Sequence, residues 1–381
     1  MTTNTLAHMP QGWQPHKLGD CVRLINGRAY SQHELLDSGT PVIRIQNLNG
    51  GDRWYYSDLN LSEDKYCHRG DLLFAWSASF GPYIWNGEKS IFHYHIWRVI
   101  PNELLNKAFA FRLFDWITEK VKSASHGVAM LHMTKAGMEA WPIALPPIPE
   151  QRRIAAILDQ ADALRAKRRE ALAQLDSLTQ SIFIEMFGDP LTNPKGFIRK
   201  SLGEIIKFEG GSQPPASTFT DEEAPDTIRL VQIRDFKSDR FKTFIPKKLS
   251  RRFFEIDDVM IGRYGPPVFQ ILRGLSGSYN VALMKAVPRD GITKDFVFHL
   301  LKEKRLHNFV VANSERTAGQ SGVNLELLEK YEAYIPPIDL QNEFVERISV
   351  LDSMTMYMRQ SLAELDILFD ALQHRAFRGE L

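Results

Sequence analysis

The sequence predicts an α+β fold in duplicate: two similar domains, mostly antiparallel β with helices, separated by two long helices that form an intramolecular coiled coil. Three observations predict it. A proline-rich helix entry, Pro146-Pro-Ile-Pro-Glu-Gln151, recurs half a chain length later as Pro336-Pro-Ile-Asp-Leu-Gln341, and a fixed long period signals repeated architecture. Several short strands followed by helix come in the same order in each half, as in an α+β domain on a largely antiparallel sheet. Each proline entry then opens a run whose apolar positions step by four and three, the seam of a helix that needs a helical partner. These features place a first domain at residues 1–145, a central helix at 146–190, a second domain at 191–335 and a C-terminal helix at 336–381.

Taken in order, Gly12-Trp13 through Leu18-Gly19-Asp20 opens the first half, with a short strand over Cys21 to Ile25; Gly196-Phe197 through Leu202-Gly203-Glu204 opens the second in the same way. Pro41 to Leu48 alternates apolar and polar residues as a half-buried strand does, and Ile228 to Phe236 stands at the matching place. Gly70-Asp71 turns into the mostly apolar strand ending at Trp76-Ser77, and Asp257-Asp258 into the one ending at Arg263-Tyr264, an offset of 187. Helical periodicity follows over Asn102 to Lys122 and over Lys294 to Val311.

Pro149 suits the first turn of a helix, where its missing N–H is no loss, so the central helix is expected to start near Glu150. Beyond it Ile154, Leu158, Ala161, Arg165, Arg168, Leu172, Leu175, Thr179, Ile182 and Met186 form the seam, and Phe344, Ile348, Leu351, Thr355, Met358, Leu362, Leu365, Phe369, Leu372 and Ala376 match it in the C-terminal helix. At about 1.5 Å per residue, Glu150 to Phe187 would span roughly 57 Å, which suits a spacer.

Composition excludes some classes of function. At 381 residues and 44% hydrophobic the chain can bury proper cores. It has no apolar run of about 18 residues and no signal-peptide pattern at Met1-Thr-Thr-Asn, so a cytoplasmic location is expected. Cys21 and Cys67 stand far apart, which supports neither a disulfide framework nor a zinc knuckle. A net charge of +1 does not by itself announce nucleic-acid binding.

The run Pro-Pro-Ile-Pro-Glu-Gln-Arg-Arg-Ile-Ala-Ala-Ile-Leu-Asp-Gln-Ala-Asp at 146–162, with Gly-[Trp/Phe]-x4-Leu-Gly-[Asp/Glu] opening each half, resembles the DNA specificity subunit of type I restriction-modification systems. The resemblance covers essentially the whole chain. It implies two target recognition domains related by a pseudo-two-fold repeat and held apart by an antiparallel helix pair, each reading one half of a split DNA sequence. It further implies a non-catalytic subunit that needs no cofactor. Two adenine-methyltransferase subunits would dock on it, and restriction/translocase subunits could join; S-adenosylmethionine, ATP and magnesium would be expected on those partners. The helix entries would supply the dock, through Glu150, Gln151, Arg152, Arg153, Gln341 and Glu343.

The chain's own motifs agree with a reader rather than an enzyme. Phe208-Glu-Gly-Gly-Ser212 misses the last glycine of a methyltransferase cofactor loop, Gly265-Pro-Pro-Val268 lacks the polar and aromatic ends of a catalytic Asn-Pro-Pro-Tyr type motif, and no phosphate loop occurs. Two rivals remain: a magnesium nuclease built on Asp226, Asp235 and Lys237, and a coiled-coil interaction protein with no DNA role. His93-x-His95 offers two imidazoles without an evident third ligand. Base edges are read by Arg, Lys, Asn and Gln, and phosphates are held by cations and small polar groups. The expected DNA contacts are therefore Arg28, Tyr30, Arg44, Gln46, Asn47, Trp76, Ser77, Ser79, His126, His132 and Lys135 in the first half. In the second they are Gln213, Gln232, Arg234, Arg263, Tyr264, Arg316, Gln320, Ser321 and Asn324.

Overall fold

A computed structural model describes residues 9–77, 79–124, 133–189, 192–265, 267–317 and 320–381. The chain divides into two compact units, Met1–Arg169 with Gln360–Leu381, and Glu170–Arg359.

In unit 1 a two-stranded antiparallel pair, β1 (Gln14–Lys17) with β10 (Pro142–Leu145), brackets the domain. The helical turn α1 (Leu18–Cys21) leads into β2 (Val22–Asn26), the edge of an antiparallel sheet in the order β2-β9-β6-β7. Its other strands are β6 (Leu72–Ala75), β7 (Gly81–Ile84) and β9 (Ile96–Pro101). A second sheet, in the order β4-β3-β8-β5, uses β3 (Thr40–Ile43), β4 (Tyr55–Ser57), β5 (Tyr66–Cys67) and β8 (Ser90–Phe92), with β3 and β8 parallel. The turn α2 (Ile45–Leu48) follows β3.

All four residues of β6 are buried because the strand is covered on both faces. Leu72 and Phe74 join Phe109, Leu113 and Phe114 of α3 (Lys107–Ala124), whereas Leu73 joins Ile43, Phe92 and Ile96 of the other core cluster. The helix predicted from Asn102 starts five residues later because the Asn106 side chain accepts from the amides of Ala108 and Phe109, an N-cap. The short α4 (Lys135–Glu139) precedes β10.

After α5 (Ile148–Phe187), unit 2 repeats the plan strand for strand. β11 (Ile198–Ser201), α6 (Leu202–Ile205) and β12 (Ile206–Gly210) correspond to β1, α1 and β2. β13 (Thr227–Val231), β14 (Phe244–Pro246), β15 (Phe253–Phe254), β16 (Val259–Gly262), β17 (Gln270–Leu272), β18 (Gly277–Tyr279) and β19 (Leu283–Pro288) complete the two sheets, in the orders β12-β19-β16-β17 and β14-β13-β18-β15. The parallel pair recurs as β13 with β18.

The single helix expected over Lys294 to Val311 is two, α7 (Lys294–Leu301) and α8 (Lys304–Ala312). Glu303 breaks it: its buried carboxylate accepts from the amides of Arg305 and Leu306 and starts the second helix. A hairpin of β20 (Glu315–Thr317) and β21 (Gln320–Gly322), then α9 (Leu325–Lys330) and β22 (Glu332–Ile335), lead to α10 (Ile338–Ala376).

Every predicted seam position of α5 and α10 is buried or half-buried, and none is exposed. The two helices also build the cores, which a pure spacer would not. Ile154, Ala155 and Leu158 of α5, Phe369 and Ala376 of α10, and Phe377 just after it belong to the main cluster of unit 1; Phe183, Met186 and Phe187 of α5 and Phe344 and Ile348 of α10 belong to that of unit 2. The polar seam residue Arg165 is held by Asp366, at 2.6 Å from its Nε, with the guanidinium 4.2 Å from the Phe369 ring centre. Among the described residues no helix is long and apolar enough to cross a membrane.

Candidate nucleic-acid interface

The same end of each unit carries a turn cluster built by matching backbone bonds. In unit 1 the amide of Gly27 donates to Ile96 O (3.0 Å), that of Arg28 to Phe92 O (3.1 Å) and that of Trp76 to His95 O (3.0 Å). In unit 2 Gly211 donates to Leu283 O (3.1 Å), Ser212 to Tyr279 O (3.1 Å) and Arg263 to Ala282 O (2.9 Å). Gly27 and Gly211 are required here, since a Cβ would stand 2.2 Å from His93 O in one unit and 2.0 Å from Asn280 O in the other.

The turns after β3 and β13 are also equivalent. Asn47 Oδ1 accepts from the Arg44 amide (3.0 Å), and Asp235 Oδ2 accepts from the Gln232 amide (2.8 Å). This is where the predicted strands end early, because each carboxyl or amide side chain caps a helical turn instead of continuing the ladder. Asn47 and Asp235 are 8% and 4% exposed, so both are internal and neither reaches a base edge. Burial raises the Asp235 carboxyl above its ordinary range. With Asp235 at a cap position filled by an amide in the other unit, the nuclease set loses its central carboxylate. Among the described residues no three His, Cys, Asp or Glu side chains gather as a metal site would require.

Around this frame the expected DNA contacts fall into distinct groups. Arg44, whose guanidinium lies 5.3 Å from the Tyr55 ring centre, and Gln46, whose Nε2 donates to Arg53 O at 2.8 Å, sit on the turn after β3. Ser79 is joined to that turn through Asn49 Nδ2 at 2.6 Å. Gln232 and Arg234 occupy the matching turn in unit 2, each 3.5 Å from Thr243 Oγ1. Arg263 and exposed Tyr264 follow β16, and the hairpin that carries Arg316, Gln320 and Ser321 is joined to them by the Tyr264–Gly322 bridge and by the Val323 amide donating to Arg263 O (3.0 Å). Gln213 is exposed beside Ser212.

Several of the others serve the interior. Arg28 is drawn 2.6 Å from Glu34, whose carboxyl is held down at about 2 by the Ser31 amide and by Arg28. Burial raises the Tyr30 phenol, which packs under the Arg28 guanidinium. Ser77 is buried. Trp76 stacks on Trp97 with its Nε1 donating to Tyr94 O (2.9 Å). Asn324 caps α9 through the Leu327 amide, a helix-starting role that the sequence reading missed. Lys135 pairs with Glu139 along α4 at 3.5 Å. His126 and His132 lie outside the described residues.

The helix entries need a correction. Gln151 and Gln341 are 1% and 0% exposed, so they do not face a partner. Gln151 accepts from the Asn106 amide and donates to Leu104 O and Pro146 O; Gln341 accepts from the Thr293 amide and donates to Gly291 O and Pro336 O. Each satisfies one buried carbonyl, of Pro146 or Pro336, and two half-buried backbone groups where the proline entry meets the domain. Glu150 forms a two-bond pair with Arg153, Arg152 is exposed, and Glu343 lies 3.7 Å from Arg347, leaving these four of the six on the surface.

The turns the sequence reading did not assign to DNA are His93-Tyr94-His95, which it weighed only as a pair of imidazoles, and Asn280-Val281-Ala282. They stand 187 positions apart, the same offset that relates Trp76 to Arg263, and that offset was the available signal. Burial, with His95 and Arg44 nearby, pushes the His93 imidazole down to about 4, so it is neutral near pH 7.

A family profile described as Type I restriction modification DNA specificity domain matches residues 10–174. The Escherichia coli type I restriction enzyme EcoBI specificity subunit is 24% identical over 430 residues, covering 99% of this chain and 88% of that protein. The MjaVIII specificity subunit of Methanocaldococcus jannaschii is 24% identical over 395 residues, covering 94% of this chain and 90% of that protein. In fold, the chain is similar to the type I restriction-modification system S subunit from M. genitalium, with a TM-score of 0.50 at 16% identity and 96% of each chain covered. Residues 10–174 thus match the type I restriction modification DNA specificity domain, and along nearly its whole length the chain is similar to type I restriction enzyme specificity subunits.

Proposed function

We propose that this chain reads a bipartite DNA target, one half with each unit, and scaffolds adenine-methyltransferase subunits without catalysing the reaction itself. The observation that carries the reading is the repeated frame. The same backbone bonds recur at the turn clusters of both units, while the side chains they hold differ: Arg44 against Gln232, Trp76 against Arg263, Tyr94 against Val281. Identical frames with different side chains suit two readers of two different half-sites, because donor and acceptor patterns at base edges distinguish base pairs.

In this reading the long helices set the gap between half-sites, as protein geometry sets half-site spacing in other DNA-binding proteins. Partner subunits supply S-adenosylmethionine, ATP and magnesium where needed, and restriction/translocase subunits join the same scaffold. The surface residues Glu150, Arg152, Arg153 and Glu343 contribute to the dock. The target adenine must be flipped from the stack into a partner's pocket, so the reader's task is to hold the duplex in register.

Co-expression with the methyltransferase subunit, followed by mapping of methylated adenines on random-sequence DNA, tests this. A split target with a fixed gap is expected, and a four-residue insertion in α5 should lengthen the gap. An uninterrupted target would overturn the two-reader arrangement; an unchanged gap in the insertion variant would overturn the ruler.

A further inference from the structure

The turns His93-Tyr94-His95 and Asn280-Val281-Ala282 are held at matching points of the two frames, yet each presents one exposed apolar side chain. Tyr94 is 40% and Val281 41% exposed, although both sit between residues tied to the core. On either side the backbone is fixed. The His93 amide donates to Ile43 O (2.9 Å), the Tyr94 amide to Arg28 O (3.0 Å) and the Ile96 amide to His93 O (2.9 Å). The Asn280 amide donates to Val231 O (3.3 Å), the Leu283 amide to Asn280 O (3.0 Å), and Asn280 Oδ1 accepts from the Ala282 amide (3.2 Å).

Behind Tyr94 stands an aromatic cluster, with ring centres of His95 at 3.9 Å, His93 at 4.4 Å and Trp76 at 6.2 Å. A rigid turn that exposes an apolar group loses little entropy on binding and can distinguish shapes a flexible one cannot. Gly27 and Gly211 make the turns rigid in the same way, since they allow the preceding strand to lie against the turn's first carbonyl.

We propose that Tyr94 and Val281 are specificity-determining residues, each making an apolar contact with one A·T base pair of its own half-site at the thymine methyl. The methyl group is the one apolar feature on a major-groove base edge, and apolar side chains are its usual readers. This inference rests on the two-reader proposal above. It adds to that proposal by assigning the contact to turns between β8 and β9 and between β18 and β19, not to the polar residues expected from sequence.

The test uses the chain in complex with its methyltransferase subunit, on random-sequence duplex DNA, scoring methylated sites by sequencing. Tyr94→Ala is expected to relax one A·T position in one half-site, and Val281→Ala one A·T position in the other, each by about tenfold in discrimination. All remaining positions and the gap should stay as in the parent. A duplex with uracil in place of thymine at the affected position should reproduce the loss with the parent chain. If the parent complex selects no sequence, the two-reader proposal fails. If the parent selects a sequence but both variants keep it unchanged, or lose methylation evenly at all sites, the assignment of Tyr94 and Val281 is wrong while the two-reader proposal stands. Matching thermal melts of parent and variants exclude a folding defect, which is not expected at exposed turn tips.

Discussion

Replacing Gln151 by alanine would leave two carbonyls and one amide of unit 1 without their partner, and Gln341→Ala would do the same in unit 2, because each glutamine bonds three backbone groups, one in a buried bond and two in half-buried ones. Leaving a buried group unpaired costs about 1–3 kcal/mol and a half-buried one, which water can reach, less, so either change is expected to destabilise the chain by about 2–4 kcal/mol. Urea unfolding followed by circular dichroism measures it, and a loss below about 0.5 kcal/mol, on the scale of ordinary surface substitutions, would contradict the lock. His299 makes a second residue-scale prediction. It is buried among Phe298 and Phe344, with neither ring nitrogen hydrogen-bonded among the described residues, and burial pushes it down to about 3. Between the ordinary histidine value and about 3 the unfolded chain binds a proton that the native chain does not, so stability falls as pH falls through that window. His299→Leu should therefore lose less thermal stability than the parent between pH 7 and pH 5. At this scale the sequence was least readable. Asn47, Asp235 and Asn324 are polar residues at element ends, and nothing local separates a side chain that turns back to cap an amide from one that reaches outward.

Arg112 and His299 are related by the same offset as Trp76 and Arg263, so they hold one place on α3 and α7, and they secure the long helices by different chemistry. Arg112 is buried and bonds Asp159 (2.8 Å) and Asp162 (3.1 Å) of α5, whereas His299 packs on the Phe344 ring of α10 at 5.1 Å. Removing one partner of a largely buried ion pair is costly, but Asp159 is half exposed, which lowers the figure. Arg112→Ala is expected to cost about 2 kcal/mol, and Arg112→Lys to recover only part of it because a lysine cannot hold both carboxylates in one fork. Denaturant midpoints of the two variants check the order. The helices themselves were legible, since a four-three spacing kept over ten positions belongs to helices that pack along a shared seam. The break at Lys302 and Glu303 was not. Apolar spacing continues across it through Phe298, Leu301, Leu306 and Phe309, and the cap is a glutamate rather than a usual serine or aspartate.

At the scale of the whole molecule, the near balance of 47 basic and 46 acidic residues limits how tightly the chain alone holds phosphates. Affinity for duplex DNA falls with salt in proportion to the phosphates neutralised. The free chain is thus expected to show a shallower dependence of log affinity on log salt than its complex with methyltransferase. Fluorescence anisotropy at several salt concentrations measures both, and equal slopes would count against partners supplying most of the positive surface. The duplication was readable from the near-constant offset between matching motifs, but the assignment of strands to two sheets was not. The parallel pairs β3–β8 and β13–β18 join residues far apart in sequence, and periodicity describes a strand's faces without naming its neighbours.

The nesting of the units bears on how the chain is made. Unit 2 is one continuous stretch, Glu170–Arg359, while unit 1 takes Gln360–Leu381 from the far end. A ribosome releases every residue of unit 2 before it supplies Phe369, Ala376 and Phe377, which lie in the core of unit 1. Burying an aromatic ring of this size stabilises a fold by about 1.5–3 kcal/mol. The half of the protein synthesised first is consequently the half completed last, and until then its apolar surface around Phe109 and Trp116 lacks the ring of Phe377.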